Sequence, residues 1–273
     1  DRIRGFIGPG KSAVIIGGGY IGLETAASMR KLGMEVTVLE ALPRVLQRVT
    51  APEVSAFYSR VHGEEGVNII TDAAVQSLEG DGTVKGVQLA DGSRLTADLV
   101  VIGVGVLPDT DLAESAGLAL DNGIVVDEFA RTSNPDIVAA GDCTNHYNPI
   151  YERRLRLESV QNATDQAKTA ANTLCGKLEN YHALPWFWSD QYDLKLQIAG
   201  LSQGFDSVVL RGSADSGRSF AAFYFCGERL LAVDAVNRPK EFMAVRRALT
   251  RGQSADPAKL ADESVDIQQA FTQ

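Results

Sequence analysis

The sequence has few cysteines and no closely spaced pair of them. Its three cysteines, Cys143, Cys175 and Cys226, are widely separated, and no Cys-x-x-Cys motif occurs in the 273 residues. This spacing predicts neither a redox dithiol nor a zinc site. The three histidines lie in unrelated contexts, so the sequence predicts no metal site.

The chain also lacks an excess of positive charge and any long hydrophobic run. Lysine and arginine number 26 against 35 aspartates and glutamates, a formal net charge of −9. This balance argues against nucleic acid or an anionic membrane as the main partner, because both bind cationic faces. The longest apolar run, residues 99–107, contains two glycines and is too short to span a bilayer. No signal peptide is visible, so we expect a cytoplasmic location.

The most informative segment is a glycine-rich turn between a predicted strand and a predicted helix. Residues 13–16 are apolar, residues 20–32 have helical composition, and Gly17, Gly19 and Gly22 between them have G-x-G-x-x-G spacing. In a dinucleotide-binding turn the first glycine permits the tight turn and the second lets backbone approach the pyrophosphate. The third lets the helix pack on the strand. The segment therefore predicts a dinucleotide site.

An acidic residue closes the next predicted strand. Residues 35–39 have strand character and Glu40 follows them, where a carboxylate accepts hydrogen bonds from a ribose diol. A carboxylate there repels a 2′-phosphate, so the sequence favours NAD over NADP. Arg44 argues the other way, since an arginine can pair with that phosphate. We expect it to lie over the adenine edge or to form an ion pair instead.

The rest of the chain predicts an α/β fold. The expected elements after Glu40 are a helix over 52–65, a strand over 67–70, a meander with turns at 81–82 and 91–92, and a strand over 99–104. Beyond it we expect a strand ending at 141–142, a helix over 160–176, a β-rich region after Pro185, an amphipathic helix over 238–251, and a polar surface tail over 254–273.

Strings spread along the chain carry a resemblance to one family. They are GGGYIGLE at 17–24, RVLQRVT at 44–50, ADLVV at 97–101, GVGVLP at 103–108, GDC at 141–143, ESVQNA at 158–163, PWFWSDQ at 185–191 and VDAVNRP at 233–239. With them the chain resembles the bacterial NADH-dependent ferredoxin reductases of the putidaredoxin-reductase and rubredoxin-reductase type. These are FAD flavoproteins with a glutathione-reductase-like fold.

The resemblance implies three units and two cofactors, FAD and NAD. The units are a Rossmann-like NAD-binding domain with an inserted β-meander over residues 1–108, part of an FAD-binding domain over 109–183, and a C-terminal α+β reductase domain over 184–273. It implies hydride transfer from NADH to FAD, then single-electron steps to a ferredoxin-type [2Fe-2S] protein or a rubredoxin. Because the chain has one glycine fingerprint, we expect most of the N-terminal FAD-binding half to lie outside it.

The resemblance also implies a set of residues that bind NADH. Tyr20 and Ile21 belong to the glycine-rich turn. Glu24, on the first turn of the helix, points to the nicotinamide end. Gly103 and Gly105 let backbone approach the nicotinamide ribose, and strand-end packing is the alternative for both glycines.

A second implied set binds flavin. Asp142 accepts hydrogen bonds from the ribityl hydroxyls, the backbone of Val160 donates near the pyrimidine end of the flavin, and Trp188 lies beside the isoalloxazine ring. A helix cap is the alternative for Asp142, and core packing is the alternative for Trp188. Lys168, Lys195, Arg246 and Arg247 either face an acidic ferredoxin or form a solvated face. No catalytic acid–base pair is predicted.

Two other functions remain open from the sequence. The first is a pyridine-nucleotide disulfide reductase or NADH oxidase on the same scaffold, which requires a reactive cysteine. The second is a redox-sensing interaction protein of the apoptosis-inducing-factor type. The PWFWSDQ string favours a partner-docking C-terminal domain and so argues against the first function. A long insertion or a basic surface would favour the interaction protein, and the sequence shows neither.

Overall fold

The computed structural model describes residues 3–272. A short 3-10 helix, Ile3–Phe6, precedes the first strand. The elements of the N-terminal part are β1 (Ser12–Ile16), α1 (Tyr20–Lys31), β2 (Glu35–Leu39), α2 (Pro52–Glu64), β3 (Val67–Ile70), β4 (Val75–Gly80), β5 (Val84–Leu89), β6 (Arg94–Thr96) and β7 (Leu99–Ile102). Strands β3-β2-β1-β7 form a parallel Rossmann-like sheet in that order, and β4-β5-β6 form an antiparallel meander.

The apolar run in β1 is explained by burial on both faces of the parallel sheet. Ala13, Val14 and Ile15 are at most 2% exposed, as expected for a central parallel strand covered on both sides. The strand predicted over 99–104 ends earlier, at Ile102. Because Gly103 donates its N–H to the Ile16 carbonyl at 2.7 Å, the chain completes its last bond to β1 there and turns away.

The middle part is a small mixed sheet beside one long helix. Its elements are α3 (Asp111–Ser115), β8 (Ile124–Val126), β9 (Thr144–Asn148), β10 (Arg153–Leu155) and α4 (Val160–Leu174). The predicted strand ending at 141–142 is wrong, since Val138 makes a single bridge to Arg131. The backbone of this segment bonds back to residues 130–132 in a tight loop, and no extended strand among residues 3–272 pairs with it.

The C-terminal part is an antiparallel sheet covered by a helix and the tail. Its elements are β11 (Trp186–Gln191), β12 (Leu194–Gly200), β13 (Ser207–Gly212), β14 (Phe220–Cys226), β15 (Arg229–Val236), α5 (Pro239–Thr250), β16 (Ser254–Ala255), α6 (Pro257–Ala261) and β17 (Phe271–Thr272). The main sheet has the order β11-β12-β15-β14-β13. Helix α5 and the tail cover one face of this sheet, and the opposite face packs on α2, where the rings of Phe57 and Phe220 lie 4.8 Å apart.

The predicted polar surface tail is the second error in the sequence-based description. Leu260, Ile267 and Ala270 are buried in the C-terminal core. The buried guanidinium of Arg211 donates to backbone carbonyls of the same segment, including Asp262 at 2.7 Å. A few apolar residues are therefore enough to bury this polar tail, because the Arg211 side chain of the sheet satisfies the backbone carbonyls of the tail.

No helix within residues 3–272 is long and apolar enough to cross a membrane. The other helices and strands expected from the sequence agree with the structure to within a few residues, including the meander with its two Asp-Gly turns, whereas β9, β10 and the elements of the tail were not expected. The proposed division at residues 108 and 183 stays a prediction.

Candidate functional site

The glycine-rich turn lies at the carboxyl end of β1, where α1 begins. Gly17 has φ +111°, and a Cβ atom there would lie 2.4 Å from the Gly103 carbonyl oxygen. A Cβ atom at Gly22 would lie 2.0 Å from the Gly17 carbonyl oxygen. Gly19, the N-cap of α1, has no other residue within 4 Å of its Cβ position. Packing thus requires Gly17 and Gly22, whereas Gly19 leaves the first N–H groups of α1 accessible to an anion.

Glu40 connects the glycine-rich turn to the loop after β2. Its Oε2 accepts the Gly18 N–H at 2.7 Å, and its Oε1 accepts the Leu42 N–H at 2.8 Å. Each carboxylate oxygen has a second lone pair, so the half-buried side chain can also accept from a ribose hydroxyl. The structure thereby adds an internal role to the role predicted from the sequence.

Arg44 lies against its own loop. Its guanidinium donates to the Thr50 carbonyl at 2.9 Å and to the Ser55 hydroxyl at 2.5 Å. It has no acidic partner within residues 3–272. Together with Ile69 and Thr71, it lines an open cleft of about 490 Å³. Within the described residues Arg44 therefore forms no ion pair, and the cleft beside it leaves room for a ligand.

The N-terminal half of α1 presents one exposed apolar side chain on its first turn and one carboxylate on its second turn. Oε1 of Glu24 accepts a hydrogen bond from the Ser189 hydroxyl of β11 at 2.5 Å. Ile21 is 68% exposed. Tyr20 turns inward, with its ring edge against Phe187 at a centroid distance of 5.0 Å. Tyr20 is therefore available to a cofactor through its backbone rather than through its buried hydroxyl.

The loop after β7 completes the edge of the sheet. Gly105 has φ +114° and no other residue within 4 Å of its Cβ position, and Leu107 is 92% exposed. Gly103 packs against Gly17, so strand-end packing accounts for it, as the sequence left open. Gly105 has no such packing constraint and leaves its backbone accessible.

The residues predicted to bind flavin lie near the start of α4. Asp142 is exposed, and its carboxylate accepts no hydrogen bond within the described chain. The Gly141 N–H before it donates to Oε1 of Gln166 at 2.8 Å, and its Cβ position lies 3.5 Å from Ala163. Asp142 is not a helix cap, since the N-cap of α4 is Ser159. Sequence analysis did not identify Gln166, which holds this turn in place.

Val160 and Trp188 lie on two elements that pack together, α4 and β11. Val160 is the first residue of α4 and 66% exposed, so its N–H is one of the donors that a helix leaves unpaired. Trp188 is 44% exposed and tilted against Trp186 at 5.8 Å. The half exposure of Trp188 argues against simple core packing.

The four basic residues considered as a partner surface have different environments. Lys168 pairs with Asp165 at 3.2 Å, and Arg246 lies 4.8 Å from the centre of the Trp186 ring. Lys195 and Arg247 are exposed. Ion pairing and aromatic packing account for two of them, so a partner surface made of all four stays a prediction.

Two buried polar networks were not identified from the sequence. One joins Thr50 and Tyr224 to Asp234. The other contains His62 and Gln191, a histidine that sequence analysis left without a role. The PWFWSDQ string contains Ser189 and Gln191 of the second network, but a string cannot show which distant side chains they meet. Among residues 3–272, no group of three or more metal-ligating side chains is close enough to hold a metal.

A family model described as pyridine nucleotide-disulphide oxidoreductase matches residues 2–167, which is more than half of the chain. This chain belongs to the pyridine nucleotide-disulphide oxidoreductase family. A second model, described as reductase C-terminal, matches residues 186–271. The two matches confirm the α/β organisation and the resemblance derived from the sequence strings.

Curated members of this oxidoreductase family are similar over nearly the whole chain. Putidaredoxin reductase CamA of Pseudomonas putida is 48% identical over 94% of this chain and 61% of its own length. Rhodocoxin reductase of Rhodococcus erythropolis is 45% identical over 95% of this chain and 61% of its own length. The chain thus spans about three fifths of the length of these relatives.

Solved structures of the family agree with the fold. The reductase in a covalent putidaredoxin reductase–putidaredoxin complex is 47% identical, with a TM-score of 0.93 over 97% of this chain and 64% of that chain. The ferredoxin reductase for the CYP199A2 system of Rhodopseudomonas palustris is 44% identical, with a TM-score of 0.91 over 95% of this chain and 64% of that chain. A NAD-dependent persulfide reductase of A. fulgidus is 26% identical, with a TM-score of 0.80 over 89% of this chain and 49% of that chain.

Proposed function

We propose that this chain works in an FAD-dependent NADH:ferredoxin oxidoreductase. Such an enzyme passes electrons from NADH to a small iron–sulfur protein, either a ferredoxin-type [2Fe-2S] protein or a rubredoxin. The observation that carries the proposal is the combination of Glu40, which closes the glycine-rich turn through Gly18, with a reductase-type C-terminal domain over residues 186–271. Two relatives that match 94–95% of this chain are named putidaredoxin reductase and rhodocoxin reductase.

Each part of the nucleotide site has a stated task in this proposal. The open N-terminus at Gly19 binds the pyrophosphate, because unpaired N–H groups and the helix dipole favour an anion. Glu40 accepts from the adenosine ribose, and the cleft beside Arg44 takes the adenine ring. Glu24 and the backbone at Gly105 orient the nicotinamide end.

The residues near α4 fit one side of a flavin. Asp142 offers a free carboxylate, Val160 offers an unpaired N–H, and Trp188 offers a half-exposed ring. When bound, FAD supplies the chemistry, since it accepts a hydride and returns electrons one at a time. The protein binds and orients the two cofactors, and this function requires no acid–base pair from the chain.

The persulfide reductase with the same fold favours one alternative, a disulfide reductase or NADH oxidase. That chemistry requires a reactive cysteine. In the described chain Cys143 is half-buried and Cys175 and Cys226 are exposed, and all three thiols are unpaired. The match of residues 186–271 to the reductase C-terminal model favours the ferredoxin reductase instead. A cytoplasmic location stays a prediction from the sequence.

The proposal is tested by titration and by turnover. NADH added to the purified chain should quench tryptophan fluorescence with saturation, and NADPH should bind more weakly. With FAD bound, the protein should reduce a one-electron acceptor such as a [2Fe-2S] ferredoxin at the expense of NADH. An NADH-dependent reduction of disulfides that exceeds the reduction of ferredoxin would support the alternative instead.

A further inference from the structure

A chain of four side-chain hydrogen bonds crosses from the C-terminal sheet to Glu24. It starts at Tyr192, whose hydroxyl lies 3.2 Å from Nδ1 of His62. Nε2 of His62 lies 2.8 Å from Oε1 of Gln191, and Nε2 of Gln191 lies 3.1 Å from the Ser189 hydroxyl. The Ser189 hydroxyl lies 2.5 Å from Oε1 of Glu24.

All four bonds have the same donor direction. The glutamine oxygen can only accept, so Nε2 of His62 carries the proton and Nδ1 accepts from Tyr192. The amide nitrogen of Gln191 then donates to Ser189, and the serine hydroxyl is left free to donate to Glu24. Hydrogen bonds aligned in this way polarise one another. The series therefore ends on the one member that carries a negative charge.

Burial protects these bonds from water. His62 is 0% exposed, and Ser189 and Gln191 are each 1% exposed. Burial lowers the pKa of His62, which keeps the ring neutral with one donor and one acceptor. Burial also raises the pKa of Tyr192, so its hydroxyl stays a donor at neutral pH. The His62–Gln191 and Gln191–Ser189 bonds are thus formed in a low-dielectric environment, where a missing partner is costly, and the bonds to Tyr192 and Glu24 at the two ends are part-buried.

The series connects the two domains through alternate residues of β11. Ser189 and Gln191 lie on the face of this strand that meets α1 and α2, which carry Glu24 and His62. Successive strand residues point to opposite faces, so Trp188, between Phe187 and Ser189, points away from α1. One strand therefore places both the serine that holds Glu24 and the tryptophan that we assign to the flavin.

We propose that Ser189, held in turn by Gln191 and His62, is a positioning residue that fixes the Glu24 carboxylate at the nicotinamide end of bound NADH. This inference rests on the proposed function. Without the serine hydroxyl, Glu24 keeps its charge but loses the contact that holds its rotamer. The loss should be specific to ligands that have a nicotinamide ring.

The test compares Ser189→Ala with a control, Ser207→Ala, which also removes one serine hydroxyl that donates to a carboxylate but at an exposed position far from Glu24 in the sequence. Dissociation constants are measured for NADH and for ADP-ribose, which has no nicotinamide. We expect Ser189→Ala to raise the dissociation constant for NADH about tenfold, which is the effect of one lost charge-assisted hydrogen bond. The ADP-ribose constant should change less than about twofold, and Ser207→Ala should change neither constant.

A double-mutant cycle separates positioning from a general structural role. In a Glu24→Gln background, Ser189→Ala should change the NADH dissociation constant little further. Ser189→Thr, which keeps the hydroxyl, should bind NADH as the parent does. Equal weakening of NADH and ADP-ribose, or an undiminished effect in the Glu24→Gln background, would overturn the positioning role while leaving the proposed function intact. A parent chain that binds ADP-ribose but not NADH would overturn both.

Discussion

The hydroxyl of Thr50 donates a hydrogen bond of 2.7 Å to Oδ2 of Asp234. Thr50 precedes α2, whereas Asp234 lies within β15, so this contact joins the nucleotide-binding part to the C-terminal sheet. Tyr224 donates to the same oxygen. Asp234 is 1% exposed and has no cationic partner within the described residues. The two domains therefore share a buried carboxylate that accepts two hydrogen bonds and has no cationic partner.

The buried Asp234 should make stability depend on pH. Burial raises the pKa of this carboxyl from 3.8 to about 6 in the folded protein. A raised pKa means that folding favours the protonated form of Asp234. Its contribution to the free energy of unfolding is therefore complete below pH 4 and is lost as pH rises through 6. The loss amounts to at most about 3 kcal/mol. Asp234→Asn keeps an acceptor for both hydroxyls and removes this dependence.

The measurement is urea unfolding of the parent and Asp234→Asn at pH 4.5 and pH 7.5. Comparing the two proteins cancels the other titrating carboxyls, including Asp98, whose pKa the Ser12 backbone N–H lowers. We expect the variant to gain stability relative to the parent at the higher pH. A difference between the proteins that does not change with pH would contradict the raised pKa.

Gly22 and Gly19 should respond differently to the same substitution. Gly22→Ala places a Cβ atom 2.0 Å from a backbone oxygen, whereas Gly19→Ala meets no other residue within 4 Å. Gly22→Ala should therefore destabilise the fold by about 1–3 kcal/mol. Gly19→Ala should lower the melting temperature much less than Gly22→Ala does, since it only weakens the N-cap of α1. It should weaken NADH binding, because its methyl group occupies ligand space. Calorimetry and NADH titration check the pair, and a Gly19→Ala protein with parental affinity would contradict the site.

Glu40 should determine the choice between NADH and NADPH. Charge repulsion of a 2′-phosphate and the loss of ribose hydrogen bonds should favour NADH by about 1–3 kcal/mol. Glu40→Ala should reduce that preference. It should also weaken both nucleotides, because Gly18 and Leu42 lose their acceptor. The ratio of the two dissociation constants is the decisive quantity. Equal affinities in the parent would argue against the assignment of Glu40.

Asp142 should affect flavin retention. Asp142→Ala removes a carboxylate that has no internal hydrogen bond, so the fold should remain stable while FAD dissociates more readily. Asp136→Ala, an exposed aspartate in the same part of the chain, is the matched control. Flavin absorbance after gel filtration, measured on a protein that includes the whole FAD-binding unit and has been mixed with FAD, gives the difference. Identical retention in both variants would exclude a role for the Asp142 carboxylate.

Arg211 should hold the C-terminal tail in place. Its buried guanidinium pairs with Glu241 at 3.3 Å and donates to the Asp262 and Val265 carbonyls at 2.7 and 2.8 Å. Arg211→Met should cost about 3–5 kcal/mol, since it leaves Glu241 with one partner and several carbonyls with none. Limited proteolysis should then cut within residues 256–270. A variant as resistant as the parent would show that apolar packing alone holds the tail.

Local sequence signals were sufficient to predict most of the fold. The apolar run of β1, the three glycines and Glu40 follow one another within a single α/β unit, so short-range pattern specifies them. The same holds for the Asp-Gly turns of the meander. The strand predicted before Asp142 failed because an apolar run becomes a strand only beside a partner strand. The tail was misassigned because Arg211, more than forty residues earlier, satisfies its carbonyls.

The sequence by itself determined the glycine-rich turn, the acid that follows β2 and the helices and strands of the N-terminal part, because these depend on neighbours in the chain. Only the tertiary structure decided that Ser189 meets Glu24, that Gln191 meets His62 and that Thr50 meets Asp234. Those partners are between 129 and 184 residues apart. Their contacts form where β11 and β15 pack against α1 and α2, and burial there makes every unpaired polar atom costly.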